Sequence, residues 1–367
     1  MSRKIGVGII GVEPDRSWAA AAHIPALQAL ADDFEIVAVA NSRQVSADAA
    51  AVHYGIPRAF SNAEALAQCP EVDLVAVTVK VPHHLELVRA AVGGGKHVFC
   101  EWPLGNGLAE AREIAALADK AGVLAVCGTQ AVFSPALIHA GALIRQGYVG
   151  DVLSVSVIGS GQVWGAYINT PNAYTLDIRN GAHMLSIPVG HTLAGLSRML
   201  GEITDMNAML AQMRSSSLNT DTGEQVVMTA PDQVLLHGRI GSKPLSLHFR
   251  GGTPRGTGLL IEINGTAGDL QITGPGGHTQ LVDMELFGAT GDDAALSPIV
   301  IPDACYGGTL ASANPGNVAR FYRQIARHLR TGTSDCPSFA EAVKLHQVIA
   351  AIEASAASGH TTQPRDF

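Results

Sequence analysis

The strongest constraint on the fold is a regular alternation of strand-like and helix-like segments over the first 130 residues. Short apolar runs rich in β-branched residues recur there, and each is followed by a longer stretch with apolar residues at helical spacing. The predicted strands are residues 4–10, 35–40, 73–79, 97–100 and 123–127, and the predicted helices are residues 18–30, 46–54, 83–92 and 108–120. This order predicts a doubly wound α/β Rossmann domain over residues 1–130.

The pattern changes after a predicted linking helix at residues 134–146. Runs that resemble antiparallel strands follow at 151–159, 234–240, 245–250, 259–264 and 269–273, and two helices are predicted at 315–330 and 338–357. Residues 131–367 are therefore expected to form a second domain of the α+β class.

Composition limits the classes of partner. The chain has 367 residues, 47% of them hydrophobic and 15% charged, with a net charge of -8. A nucleic-acid surface needs clustered Lys and Arg, so nucleic acid is not an expected partner. The apolar run at the N-terminus is too short for a signal peptide or a membrane span, so no membrane partner is expected. Five scattered cysteines without a CxxC pair predict reduced thiols in a cytoplasmic protein, and no metal site is expected because ligand spacing is missing.

A glycine-rich motif near the N-terminus matches the spacing of a dinucleotide-binding turn, but the turn itself is expected to begin only at its last glycine. Gly6, Gly8 and Gly11 satisfy GxGxxG, but the first two fall inside the predicted first strand. A phosphate-binding turn must follow the strand, so we expect it to begin at Gly11 and run into the helix that contains Trp18. A lone glycine match is weak, and the alternative is that this strand and helix are scaffold only.

The end of the second strand bears on the choice of cofactor. A Rossmann protein contacts the adenosine ribose there, and an acidic residue would favour NAD. This sequence instead has Asn41, Ser42 and Arg43, which suit the 2′-phosphate of NADP. The expected cofactor is therefore NADP or NAD, with NADP favoured; the alternative is that Arg43 is a solvated residue at a helix start.

Three segments together resemble the Gfo/Idh/MocA oxidoreductase family. They are residues 11–27, which end in HIPAL, VKVPHH at 79–84 and GKHVFCEWPL at 95–104. The resemblance implies an NAD(P)-binding Rossmann domain and a second domain with an open, mostly antiparallel sheet. In the family that sheet serves the substrate or effector site and often an oligomer interface, so a homodimer or homotetramer is expected. It also implies a sharp turn at Pro103, and we predict a cis peptide bond between Trp102 and Pro103.

Two polar groups of the family are absent from this chain. The family has a lysine where this sequence has Trp102, and an aspartate, four residues before a histidine, where it has Ile187; His191 matches the histidine. These replacements resemble the branch of the fungal galactose-pathway repressor and its bacterial relatives, which implies a bound dinucleotide and a regulatory role.

The candidate site residues follow from these motifs. The cofactor-binding candidates are Gly11, Val12, Trp18, Asn41, Ser42, Arg43, Val79, Pro82, His84, Glu101, Trp102 and Gln130. The catalytic candidates are His191 and Lys80, and the substrate candidates are Trp102, Tyr174, Asp177, Asn180 and His191. Each has a plainer alternative: His191 could satisfy its helix neighbours, Lys80 could be a structural or phosphate-contacting lysine, and residues 174–180 could be a solvated loop.

Two functions follow from the sequence. The first is an NAD(P)-dependent oxidoreductase that acts on a sugar, a polyol or a related hydroxy compound through an altered catalytic site. The second is an NAD(P)-binding sensor or regulator without turnover. The losses at Trp102 and Ile187 are the feature that divides them.

Overall fold

The computed structural model describes residues 3–333 and 335–367, and the chain divides into two compact units. The first unit consists of residues 1–129 and 308–343, and the second of residues 130–307 and 344–367. A segment near the C-terminus thus returns to the unit that the N-terminus begins. The linear sequence carries no signal for this return.

The first unit is built on six strands and the helices between them. The strands are β1 (Ile5–Ile10), β2 (Phe34–Ala40), β3 (Arg58–Phe60), β4 (Leu74–Val77), β5 (His97–Glu101) and β6 (Ala125–Gly128). The helices are α1 (Ile24–Gln28), α2 (Gln44–Tyr54), α3 (Ala63–Ala67), α4 (His84–Gly93) and α5 (Leu108–Ala121). The strands pair in parallel in the order β3-β2-β1-β4-β5-β6. This is the order of a dinucleotide-binding Rossmann sheet.

The central strands are apolar on both faces because helices cover both sides of a parallel sheet. Every residue of β1 and of β4 is buried. The two glycines of β1 lie where neighbours approach closely. A Cβ at Gly6 would lie 1.9 Å from the carbonyl oxygen of Glu71, and one at Gly8 would lie 2.7 Å from a methyl group of Leu66. Gly6 and Gly8 therefore serve packing, as their place inside the strand predicts.

The returning segment contributes the long helix α9 (Ala313–Thr331) to the first unit. Its aromatic residues complete the core beside β5: the ring of Phe321 stacks on Phe99 with centroids 4.6 Å apart, and Tyr322 contacts both Phe99 and Phe34. The helix ends at Gly332, which adopts the left-handed conformation common after a helix.

The second unit contains two sheets. Its larger sheet has the strands β7 (Val152–Ser160), β9 (Ile203–Ala211), β12 (Gln233–Ile240), β13 (Lys243–Arg250), β14 (Leu259–Gly265), β15 (Gly268–Gly274), β16 (Glu285–Thr290) and β17 (Ser297–Ile299). A small sheet has β8 (Tyr167–Ile168), β10 (Ser216–Asn219) and β11 (Gln225–Val227). The helices are α6 (Pro135–Arg145), α7 (Gly190–Leu200) and α8 (Asp303–Tyr306), while α10 (Phe339–Ser358) starts in the first unit and ends in the second.

The eight strands follow the order β17-β16-β15-β14-β7-β13-β12-β9, and only the pair β7 and β13 is parallel. Along β7 the burial alternates: Val155 and Val157 are buried, and Ser156 and Ile158 are exposed. One face is therefore covered and the other is open. This confirms the predicted fold class, a Rossmann domain plus a domain with an open, mostly antiparallel sheet.

Sequence patterns missed several short or irregular strands. The strands β3, β8, β10, β11 and β17 have four residues or fewer, which is too short to show alternation. No helix among the described residues is long and apolar enough to cross a membrane.

We expect Gly6→Ala to lower the free energy of unfolding by about 1 to 3 kcal/mol or more, because the new methyl group meets a backbone carbonyl that cannot move alone. Gly93→Ala is the matched control. It lies in α4 with no atom within 4 Å of a new Cβ, so its stability should be unchanged or raised by up to about 1 kcal/mol. Chemical denaturation followed by circular dichroism measures both; equal effects would contradict this packing role.

Candidate functional site

The turn after β1 lies where the strand order of the first unit reverses. Strands β1 and β4 are neighbours, and their connections leave in opposite directions, which opens a crevice at their carboxyl ends. Gly11 has a φ of +96°, and a Cβ there would lie 2.5 Å from a methyl group of Val79. The turn therefore needs glycine, as the fingerprint argument predicted for Gly11.

Asn41 at the end of β2 holds this turn in place. Its amide nitrogen donates to the carbonyl of Val12 at 2.8 Å, and its carbonyl oxygen accepts from the N–H of Val12 at 3.0 Å. Both functional groups of Asn41 are thus engaged with the phosphate-loop backbone. The sequence predicted Asn41 as a ribose contact, which stays a prediction; in the structure its side chain holds the backbone of Val12.

The loop after Gly11 is closed by Ser17. The hydroxyl of Ser17 accepts from the backbone N–H groups of Glu13 and Ala20, which caps the start of the helix. Pro25 has no N–H, and Ile24 donates to the carbonyl five residues before it, so residues Ala19–His23 form one π-helical turn. Beside it the indole N–H of Trp18 is buried and has no partner among the described residues.

Ser42 and Arg43 follow β2 at the surface. Both are exposed, and Arg43 immediately precedes α2. The Arg43 side chain makes no hydrogen bond or ion pair with any residue that the structure describes. The Arg43 guanidinium is therefore accessible to an anionic ligand.

The segment after β4 contains Val79, Lys80, Pro82 and His84. Lys80 and Pro82 are exposed, and Val79 is half-buried against Gly11. His84 is fully buried, and its ring nitrogens lie 3.1 Å from the carbonyl oxygen of Val79 and 3.2 Å from that of Leu104. Burial lowers the pKa of His84. A neutral imidazole has one N–H, so His84 donates to one of these two carbonyl oxygens and packs beside the other.

The end of β5 brings together Glu101, Trp102 and Pro103. The peptide bond between Trp102 and Pro103 is cis, which confirms that prediction. Trp102 is buried, with 5% of its surface exposed, and Glu101 is bonded to His23. An indole cannot supply the positive charge of the family lysine.

These residues fit a dinucleotide. The Gly11 turn has no room for a side chain, the Trp18 indole N–H has no partner among the described residues, and Arg43 is a cation at the adenosine end of the crevice. A dinucleotide would supply hydride-transfer chemistry when bound. The chain itself would supply the loop amides, the indole donor and the guanidinium.

Three substrate candidates, Tyr174, Asp177 and Asn180, lie in one irregular segment of the second unit. Asn180 donates to the carbonyl of Tyr174 at 2.7 Å, and the Asp177 carboxylate binds the guanidinium of Arg179 at 2.6 Å. Hydrogen bonds from Arg179 lower the pKa of Asp177 to about 2, and burial raises the pKa of Tyr174. The side chains of Asp177 and Asn180 are thus hydrogen-bonded within their own segment. Gln130 is buried at the start of this unit.

His191 lies at the start of α7, directly after a π-helical turn at Leu185–Val189. Pro188 has no N–H, so Val189 donates to the carbonyl of Met184 instead. His191 is 3% exposed, and neither ring nitrogen has a hydrogen-bond partner among the described residues. Burial, and to a smaller extent the nearby His278, lowers the pKa of His191 to about 3.

His278 was not found by sequence reasoning, because it belongs to no motif. Its Nε2 lies 2.5 Å from the carbonyl oxygen of Gly161, so Nε2 carries the proton, and its Nδ1 lies 3.3 Å from the amide nitrogen of Gln280. Its ring is parallel to Trp164, with centroids 6.1 Å apart. Burial lowers the pKa values of His278 and of the similarly buried His183 to about 4.

This arrangement in the second unit offers uncharged imidazoles. A neutral imidazole can exchange hydrogen bonds with hydroxyl groups, but it provides no cation at neutral pH. Among residues 3–333 and 335–367, no group of three or more His, Cys, Asp or Glu side chains could hold a metal ion.

Family comparisons agree with both units. A family model described as an oxidoreductase family with an NAD-binding Rossmann fold matches residues 5–129, and one described as the C-terminal domain of Gal80p matches residues 135–274. The galactose/lactose metabolism regulatory protein GAL80 of Kluyveromyces lactis is 31% identical over 309 residues, which cover 78% of this chain and 67% of the relative. The chain therefore belongs to the Gfo/Idh/MocA oxidoreductase family and, within it, resembles the Gal80p branch.

Two further similarities bear on function. The crystal structure of a super-repressor mutant of Gal80p from Saccharomyces cerevisiae superposes with a TM-score of 0.89 at 26% identity, covering 99% of this chain and 98% of that one. The dehydrogenase aclE of Aspergillus oryzae is 31% identical over 287 residues, covering 75% of this chain and 78% of the relative. Regulators and a dehydrogenase thus share this fold.

The depressed pKa values of the three buried histidines predict a pH-dependent stability. Their folded pKa values of about 3 to 4 lie below the usual value of 6.5, so between about pH 6.5 and pH 4 the unfolded chain binds more protons. The stabilisation is complete above about pH 6.5 and is lost as the pH falls. Each histidine contributes at most about 1.4 kcal/mol per pH unit.

His191→Gln should therefore reduce the slope of stability against pH below about pH 6 by up to about 1.4 kcal/mol per unit. Denaturant unfolding at several pH values measures the slope. Leu193→Ala is the control, since it removes a buried side chain from the same helix without a titrating group and should lower stability equally at every pH. An unchanged slope in His191→Gln would contradict the assignment.

Proposed function

We propose that this chain is a dinucleotide-binding regulatory protein of the Gal80p type that turns over its ligand slowly or not at all. Its first unit binds NAD(P), and a small uncharged compound, such as a sugar or polyol, acts as the effector at the second unit. The observation that carries the proposal is the absence of the family's lysine and aspartate, whose positions are occupied by Trp102 and Ile187.

The state of His191 supports this proposal. A general base near neutral pH needs a matching pKa and an orienting partner. His191 has a pKa of about 3, and its ring has no hydrogen-bond partner among the described residues. Such an imidazole accepts a proton poorly at neutral pH. It can still form hydrogen bonds with a hydroxyl-bearing ligand.

The relatives support a regulatory role as well. Those from Kluyveromyces lactis and Saccharomyces cerevisiae are named as galactose/lactose metabolism regulatory proteins. By this analogy the effector would be related to a sugar. A cytoplasmic location and a homodimer or homotetramer built on the open sheet face remain predictions; sedimentation velocity would test the assembly.

For the cofactor we propose NADP over NAD. The exposed Arg43 guanidinium follows β2, at the position where a Rossmann protein meets the adenosine ribose. It has no competing partner among the described residues, and no acidic residue stands beside it at Asn41 or Ser42 to bind the ribose hydroxyls.

We expect Arg43→Ala to weaken NADPH binding by about ten-fold or more and to leave NADH binding nearly unchanged, because a charge-assisted contact to the 2′-phosphate is lost. Titration calorimetry measures both affinities. Arg58→Ala is a matched control, since Arg58 is an exposed arginine of the same unit paired with Glu71. Equal losses for the two cofactors in Arg43→Ala would exclude the 2′-phosphate contact.

A second candidate function is an NAD(P)-dependent oxidoreductase for hydroxy compounds. The similarity to the dehydrogenase aclE favours it. In that case Lys80 or His191 would stand in for the missing family groups. Lys80 is exposed after β4, at the carboxyl edge of the sheet.

Turnover separates the two candidates. Losing a group that stabilises transition-state charge costs about 100- to 1000-fold in rate, so the wild type should bind dinucleotide yet oxidise glucose or inositol very slowly. Trp102→Lys combined with Ile187→Asp should raise that rate while cofactor binding persists. NAD(P)H absorbance measures the rate.

The opposite pattern identifies an enzyme. Wild-type rates of about 1 to 1000 per second on glucose or inositol would contradict the regulatory proposal. If Lys80 and His191 run another reaction, the double variant gains nothing, and His191→Ala abolishes turnover of the true substrate found in a sugar and polyol panel.

A further inference from the structure

Three side chains of the first unit form a hydrogen-bonded chain that the proposed function leaves unused. The hydroxyl of Tyr322 on α9 lies 2.8 Å from Nδ1 of His23, and Nε2 of His23 lies 2.9 Å from Oε1 of Glu101. His23 and Tyr322 are fully buried, whereas the Glu101 side chain keeps 11% of its surface exposed. This series of hydrogen bonds therefore runs from the core to the end of β5.

The two contacts of His23 suit a single donor and acceptor order. The pKa of Tyr322 is raised well above its usual value by burial, with a smaller contribution from Glu101, so the phenol is an O–H donor. When that O–H donates to Nδ1 of His23, the imidazole proton lies on Nε2, which donates to the Glu101 carboxylate. In this order the Tyr322 hydroxyl favours the tautomer that binds Glu101.

Aromatic packing fixes the imidazole in this position. The His23 ring lies edge-on to Tyr322 at 5.7 Å between centroids and 5.1 Å from Phe99. Phe99 is itself stacked on Phe321 of α9. Because every side of the ring is covered, a change at Tyr322 or His23 reaches the Glu101 carboxylate directly.

The location of Glu101 indicates which half of a dinucleotide it faces. In a Rossmann sheet the end of β2 serves the adenosine half, and strands β4 to β6 serve the other mononucleotide. Glu101 ends β5, and its carboxylate is an acceptor for hydroxyl or amide N–H donors. The nicotinamide half carries both kinds of donor.

We propose that His23 and Tyr322 are positioning residues that orient the Glu101 carboxylate toward the nicotinamide half of the bound dinucleotide. The inference rests on the proposed dinucleotide binding. It gives the returning helix α9 a part in cofactor recognition, through one hydroxyl group.

The test compares NADPH, NADH and ADP binding to the full-length chain by calorimetry. ADP has the adenosine and the pyrophosphate but lacks the second ribose and the nicotinamide. We expect His23→Leu to weaken binding of the preferred reduced dinucleotide about ten-fold or more, and Tyr322→Phe about three-fold or more, while ADP affinity changes less than two-fold. His23→Gln keeps an N–H donor for Glu101 and should recover part of the loss.

Phe34→Leu is the structural control. Phe34 packs against Tyr322 but forms no part of the hydrogen-bonded chain, so this variant should lower the melting temperature and leave the ratio of dinucleotide to ADP affinity unchanged. A merely structural role for His23 predicts the same behaviour in His23→Leu.

Each outcome decides one proposal. If the wild type binds none of the three nucleotides, the proposed function fails. If the wild type binds them, but Tyr322→Phe and His23→Leu leave dinucleotide and ADP affinities unchanged or reduce them equally, the positioning inference fails and dinucleotide binding stands. Should His23→Leu not fold, the Tyr322→Phe result decides.

Discussion

The adjacency of β1 and β4 is the constraint on which the rest of the first unit depends. Two parallel strands whose connections leave in opposite directions cannot be covered by one crossover, so their carboxyl ends remain accessible. Thr78 ties the two ends together, since its N–H and its hydroxyl both bond to the carbonyl of Ile10. With Val79 packed against the turn, only glycine fits at position 11. The ligand-binding edge is thus a result of strand order.

Buried imidazoles are treated differently in the two units. In the first unit, both ring nitrogens of His23 have hydrogen-bond partners, and His84 donates to one of two nearby carbonyl oxygens. In the second unit, the ring nitrogens of His183 and His191 have no hydrogen-bond partners among the described residues. An unsatisfied buried polar group costs about 1 to 3 kcal/mol, and such a cost is retained where a ligand completes the bonding. The imidazoles of the first unit are therefore bonded within the fold, whereas the ring nitrogens of His183 and His191 are not.

The sequence predicted most of the framework and less of the site. The long apolar strands of the first unit and the helices α5 and α9 were found because periodicity over many residues is a strong signal. The turn at Gly11 followed from the rule that a phosphate-binding turn comes after the strand, and the cis bond at Pro103 followed from the family resemblance, while the role of Arg43 stays a prediction. Three features were missed: the bonds between Asn41 and Val12, the proximity of His278 to His191, and the hydrogen bonds that link Tyr322 to Glu101. Each joins residues distant in sequence, and no local pattern records such contacts. The two π-helical turns could have been anticipated from Pro25 and Pro188, each of which removes a donor from its helix.

The returning segment, residues 308–343, affects the order in which the protein can fold during synthesis. The first unit needs Phe321 and Tyr322 to cover Phe99, yet these residues are synthesised about 200 positions after β5 ends. On a ribosome that adds about 5 to 20 residues per second, the six-stranded sheet therefore waits many seconds with an apolar face unfilled. The larger sheet of the second unit, from Val152 to Ile299, is synthesised entirely within that interval. Residues 344–367 complete the second unit and are synthesised later still. Each unit is therefore finished by a segment near the C-terminus, so neither can be completed until synthesis is almost over.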